Sequence, residues 1–108
     1  MQQIHHLIDG KAVQGRDYFE TVNPATQEVL AEVASGGEAE VNAAVAAAKQ
    51  AFPKWAGMPA PERARLIRKL GDLIAKNVPE IAQTETNDCG QVSAQTGKQL
   101  VPRAAHNF

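Results

Sequence analysis

The chain has 108 residues and a mass of 11.6 kDa, with 44% apolar and 21% charged residues. That is the profile of one soluble globular unit. Eleven basic against twelve acidic residues leave a net charge of -1, so no basic surplus points to nucleic acid. Cys89 is the single cysteine. It offers neither an internal disulfide nor metal-ligand spacing, and the expected compartment is the reducing cytoplasm. Met1 to Gly10 lacks a basic segment followed by an apolar one, so no secretory signal is expected. No apolar run approaches the roughly 20 residues of a membrane helix.

In chain order, strands come first. Ile4 to Val13 carries the run His6-Leu7-Ile8 and then Asp9-Gly10, a pair suited to a two-residue hairpin turn. A second hairpin is predicted from Tyr18-Phe19-Glu20-Thr21-Val22, the turn Asn23-Pro24-Ala25-Thr26, and Val29 to Val33. Its proline presets φ, and its flanks are rich in residues that favour a pleated surface.

Helices follow. Ser35-Gly36-Gly37-Glu38 reads as a capping box. Val41, Val45, Ala48 and Phe52 then fall on one helical face, and Pro53 is expected to end that helix. Pro61 suits the first turn of the next, where Leu66, Ile67, Leu70, Leu73 and Ile74 form an apolar stripe. Pro79 opens a third, short helix through Glu85, which Gly90 can terminate. Ser93 to Phe108 reads as a fourth, interrupted or started near Pro102. Alanine supplies much of the apolar fraction and buries little area at about 25 cal/mol per Å². The chain therefore reads as one unit that is part of something larger.

Chemistry is sparse. Arg63, Arg65, Arg68, Lys69 and Lys76 oppose only Glu62 and Asp72. Without interleaved aromatic residues, a solvated helix face explains them better than a phosphate patch. His5-His6 has no companion cluster at metal-ligand spacing. Gly90 to Lys98 has six residues between its glycines, and Gln99 follows the lysine, so it is not a phosphate-binding P-loop. Gly36-Gly37 lacks the third glycine of a dinucleotide fingerprint. Cys89 sits beside Asp88 at a predicted helix C-terminus, where carboxylate and dipole both disfavour a thiolate. The residues alone specify no complete active site.

An ordered set of motifs goes further. These are Ile8-Asp9-Gly10-Lys11; Thr21 to Thr26 with Glu28-Val29; Val41 to Phe52 followed by Trp55-Ala56; Glu62-Arg63; and Glu85-Thr86 with Asp88 and Gly90. Together they resemble the N-terminal portion of the aldehyde dehydrogenase superfamily over essentially the whole chain. Ala34 to Glu40, Phe52 to Ala56 and Pro102 to Phe108 resemble the hydroxymuconic semialdehyde subgroup, particularly the 5-carboxymethyl-2-hydroxymuconic semialdehyde enzymes of aromatic catabolism. Two departures stand out. The family usually has glycine at the place of Gln27, where a positive φ would cost about 1 kcal/mol. Its Leu-Asp-Thr-Gly run stands here as Asn87-Asp88-Cys89-Gly90.

The resemblance implies an α/β fold, with N-terminal hairpins and amphipathic helices over residues 1–108 forming part of a cofactor-binding domain. It implies oxidation of an aldehyde to an acid with NAD or NADP, in a homo-oligomer completed by the remainder of the dehydrogenase. Thiolate attack on the carbonyl, hydride transfer and thioester hydrolysis would use a Cys, a Glu and an Asn that match nothing here. Cys89 does not match the nucleophile, so the chain alone is expected to be inert.

Two site features carry over. Thr21 and Val22 carbonyls with the Asp88 carboxylate correspond to a monovalent-cation site, a hard ion that takes such oxygens; the other reading has Asp88 only capping a turn. Arg103 corresponds to a helix facing the substrate entrance, where a guanidinium can grip a carboxylate in a bidentate fork. The other reading pairs Arg103 on the surface. A rival function from a different class is a free-standing, non-catalytic helical interaction module.

Overall fold

The computed structural model describes residues 1–108, which form two compact units: Met1–Val22 with Val29–Met58, and Asn23–Glu28 with Pro59–Phe108.

In the first unit, β2 (His6–Ile8) and β3 (Lys11–Val13) make the expected hairpin, pairing His6 with Val13 and Ile8 with Lys11. Asp9 and Gly10 both have positive φ, 54° and 71°, as the tight hairpin turn demands. The second hairpin is also as expected: β4 (Asp17–Val22) runs antiparallel to β5 (Val29–Ser35). The register slips between Thr21 and Val22, whose partners are Ala31 and Val29, so Leu30 is the extra residue of a bulge.

One strand pairing goes beyond the two hairpins. β1 (Gln3–Ile4) lies parallel to β5, giving the sheet order β1-β5-β4 with β5 central. Ala31, in that central strand, is the buried apolar residue of this unit, 4% exposed. Tyr18 ties the sheet to the preceding loop. Its hydroxyl accepts from the Gly15 backbone N–H at 3.0 Å and pairs with His5 Nδ1 at 2.8 Å.

The helix of this unit, α1 (Glu38–Ala56), differs from expectation at both ends. Ser35 does not cap it, because the ladder of β5 holds Ser35 opposite Asp17. Gly37 takes the cap position, and its N–H donates to Glu40 Oε2 at 2.8 Å. That bond is the main reason the Glu40 carboxyl sits below its ordinary pKa. Nor does Pro53 end the helix. A proline removes its own bond back to residue i-4, but its carbonyl still accepts, here from Gly57 N–H at 3.0 Å. The last turn closes on that bond. No residue of α1 is buried: Val41 is 59% exposed and Phe52 65%.

In the second unit, α2 (Ala60–Lys76) begins as expected with Pro61 in its first turn. Gly71 is its buried residue; a Cβ there would lie 3.0 Å from the Ala105 carbonyl oxygen. Leu70 and Leu73 of the apolar stripe remain exposed. Arg65 pairs with Glu62 at 2.6 Å, both exposed, and a solvent-screened surface pair of this kind adds little to stability.

Next, α3 (Val78–Cys89) runs four residues beyond the expected Glu85 before the left-handed Gly90, φ 74°, stops it. Gly90 N–H donates to the Thr86 carbonyl at 2.9 Å. Its missing side chain matters twice, since a Cβ would also come within 2.8 Å of Pro24 Cγ. Pro24 belongs to the tip of the second hairpin, where Gln27 holds φ 63°. The expected departure from glycine at that turn is therefore a strained one, partly offset by the Gln27 amide donating to the Pro24 carbonyl at 3.0 Å.

Ser93 to His106 is one helical stretch with a change of pitch. It comprises α4 (Ser93–Gln95), a π-helical turn over Thr96–Leu100, and α5 (Val101–His106). The interruption falls near Pro102, as expected, and Pro102 sits in the first turn of α5. It follows the widened turn, so the donor it lacks falls just where the α pattern is already interrupted. Ala82, Thr96 and Val101 are the buried residues of the unit.

Candidate functional site

Thr86 and Thr96 meet at the change of pitch before α5. Thr96 is completely buried. Its hydroxyl lies 3.0 Å from the Ser93 carbonyl and 2.8 Å from Thr86 Oγ1. A hydroxyl has one proton, and the carbonyl can only accept. Thr96 therefore donates to Ser93, and Thr86 donates to Thr96. Val101 N–H reaches back five residues to the Thr96 carbonyl. Thr96 thus joins α3, α4 and the π turn through its own polar atoms.

Arg103 stands exposed on α5, three residues beyond this turn. No carboxylate of this chain pairs with its guanidinium. An unpaired guanidinium keeps its full bidentate fork available for an anion. The other residues of the carried-over set lie elsewhere. Thr21 and Val22 flank the register slip at the end of β4, in the first unit. Asp88 lies in the last turn of α3, in the second.

The remaining candidates take defined structural places. His5 is engaged by Tyr18 in an edge-to-face contact with centroids 6.0 Å apart. His6 Nε2 is buried without a hydrogen-bond partner. Cys89 is exposed at the C-terminus of α3. Its hydrogen bond to the Glu85 carboxylate, then burial and the Glu85 and Asp88 charges, push the thiol pKa up. A raised pKa leaves less thiolate at any given pH, the opposite of an activated nucleophile. Site-resolved alkylation of Cys89 by iodoacetamide should therefore need higher pH than for the same thiol in urea. Glu85→Gln should move the profile back down; a profile unchanged by that substitution would remove Glu85 as the cause.

Thr96 did not stand out in the sequence, and Thr86 did so only as part of the Glu85-Thr86 motif. The only signal for Thr96 was indirect: a proline six residues after it, inside an otherwise helical stretch.

Comparison with known proteins places this geometry in context. The aldehyde dehydrogenase family model matches residues 11–108. The chain is 65% identical over its full length to 5-carboxymethyl-2-hydroxymuconate semialdehyde dehydrogenase of Escherichia coli, and it spans 23% of that protein. Among solved structures, HpcC from Thermus thermophilus superposes with a TM-score of 0.94 at 40% identity, over 99% of this chain and 21% of that one. The NAD+ complex of an aldehyde dehydrogenase from Bacillus cereus superposes equally well, with a TM-score of 0.94 at 39% identity, over 98% of this chain and 22% of that one. The chain thus spans less than a quarter of the length of the relatives it matches. Their strands and helices coincide with the mixed fold described here, and the rival helical interaction module finds no support. By sequence and fold alike, the chain belongs to the aldehyde dehydrogenase family.

Proposed function

We propose that this chain is part of an NAD(P)-dependent dehydrogenase that oxidises a carboxylated muconic semialdehyde, 5-carboxymethyl-2-hydroxymuconic semialdehyde by preference, to the acid. The observation that carries the proposal is the 65% identity over all 108 residues to the Escherichia coli enzyme. The unpaired Arg103 supports it, because a substrate bearing carboxylates needs a planar bidentate donor. The chain's own part is binding and positioning. Bound NAD(P) would accept the hydride, and no residue of this chain is assigned to hold it or to attack the carbonyl. Incubating the dehydrogenase that carries this chain with that semialdehyde and NAD+ should yield NADH. Turnover confined to neutral aldehydes would refute the substrate class.

The uncovered apolar side chains Val41, Phe52, Leu70 and Leu73 support a place inside a larger, homo-oligomeric enzyme whose remainder covers them. No helix is long and apolar enough to cross a membrane, and a cytoplasmic site of action fits a reduced Cys89.

The family resemblance supports the Thr21 and Val22 carbonyls and the Asp88 carboxylate as donors to a monovalent cation. The donor chemistry suits a hard ion. Asp88→Asn should weaken the dependence of the enzyme's thermal stability on added K+. The same K+ response in variant and parent would exclude Asp88 from the set.

A further inference from the structure

The geometry points to Thr96 as a positioning residue for Arg103, its buried hydroxyl holding the π turn that decides which way the guanidinium faces. The inference rests on the reading of Arg103 as the ligand of the substrate carboxylate.

Residues of an α-helix advance by about 100° each, so two residues five apart lie about 140° apart around the axis. Both cannot then face the same interior. Yet Thr96 and Val101, five apart, are 0% and 6% exposed. The π turn reconciles them, because the Val101 N–H bonds to the Thr96 carbonyl and one extra residue is absorbed in the turn.

Everything downstream is thereby rotated by about one residue, roughly 100°. In an unbroken α-helix from Thr96, Arg103 would occupy the direction now held by Ala104. Ala104 lines an apolar groove with Ile74, Ile81, Leu100 and Val101, and Glu85 stands at the same groove. An arginine turned toward that groove would be offered the Glu85 carboxylate as its partner, and its fork would be lost to substrate.

A π turn is rare and poorly bonded compared with an α turn, so something must hold it. Pro102 lowers the penalty by having no N–H to satisfy, but it does not specify the turn. The specific contacts are those of the Thr96 hydroxyl, to Ser93 at 3.0 Å and from Thr86 at 2.8 Å. With these broken, the stretch is free to return to α pitch and to carry Arg103 toward Glu85.

The test measures KM and kcat in the dehydrogenase that carries this chain, with 5-carboxymethyl-2-hydroxymuconic semialdehyde and with propanal. Thr96→Val, which keeps shape and removes the hydroxyl, should raise KM for the carboxylated aldehyde by about tenfold. KM for propanal and both kcat values should stay within about twofold. Thr96→Ser should restore the parent KM, and Thr96→Val combined with Arg103→Ala should be no worse than Arg103→Ala alone. Thr86→Val removes the same hydrogen bond from the less buried side. It should reproduce the selective change, and it decides the question where Thr96→Val does not fold.

If Arg103→Ala abolishes the preference for the carboxylated aldehyde while the threonine variants retain it, Thr96 is not a positioning residue and the reading of Arg103 stands. If Arg103→Ala leaves the preference intact, both fall. Equal losses on the two aldehydes in the threonine variants would make the pair a general support and overturn the inference.

Discussion

Replacing Arg103 by alanine in the dehydrogenase that carries this chain is expected to raise KM for a carboxylated semialdehyde by about 10- to 100-fold. The basis is the strength of a charge-assisted, bidentate hydrogen bond, about 1.5–3 kcal/mol. That energy is available because the guanidinium is exposed and has no carboxylate partner to exchange for the substrate. A neutral aldehyde gains nothing from the fork, so its KM should hardly change. Arg103→Lys should recover only part of the loss, since an ammonium supplies charge without the planar geometry. Equal effects on both aldehydes would place Arg103 outside the substrate site.

The second large effect concerns the 108-residue chain by itself. Its buried apolar residues are Ala31, Ala82 and Val101, whereas Leu7, Phe19, Val41, Val45, Phe52 and Leu73 remain between 47% and 78% exposed. Alanine contributes little burial, and the entropy of ordering a chain of this size demands much more. The isolated chain should therefore bind ANS, associate in solution and unfold gradually on heating. A monodisperse monomer with a sharp thermal transition would show that these faces need no cover.

Where local chemistry decides a structure, it was readable from the residues. Asp9-Gly10 specifies a turn because both positions must take positive φ, and they do. Gly90 stops α3 for the same reason. The departures arise where a distant partner decides instead. Ser35 has the right residues after it for a cap, but a strand ladder holds it. A two-residue strand such as β1 carries no periodicity and exists only through its parallel neighbour. The missing donor of Pro53 suggests a stop, while its carbonyl still serves the final turn. The π turn is the hardest to read, because it depends on a hydroxyl in the preceding helix α3 rather than on any spacing within its own. Likewise, the role of Arg103 rests on resemblance; what the structure adds is its exposure, its freedom from acidic partners and the turn that orients it.

The most direct test of the account is the intact mass of the native polypeptide that contains this sequence in its source cell. A dehydrogenase built like its relatives, of which these residues span 23% in the Escherichia coli enzyme, predicts a mass several-fold above 11.6 kDa. A native product of 11.6 kDa would contradict it, because such a product would have less than a quarter of the length of those relatives.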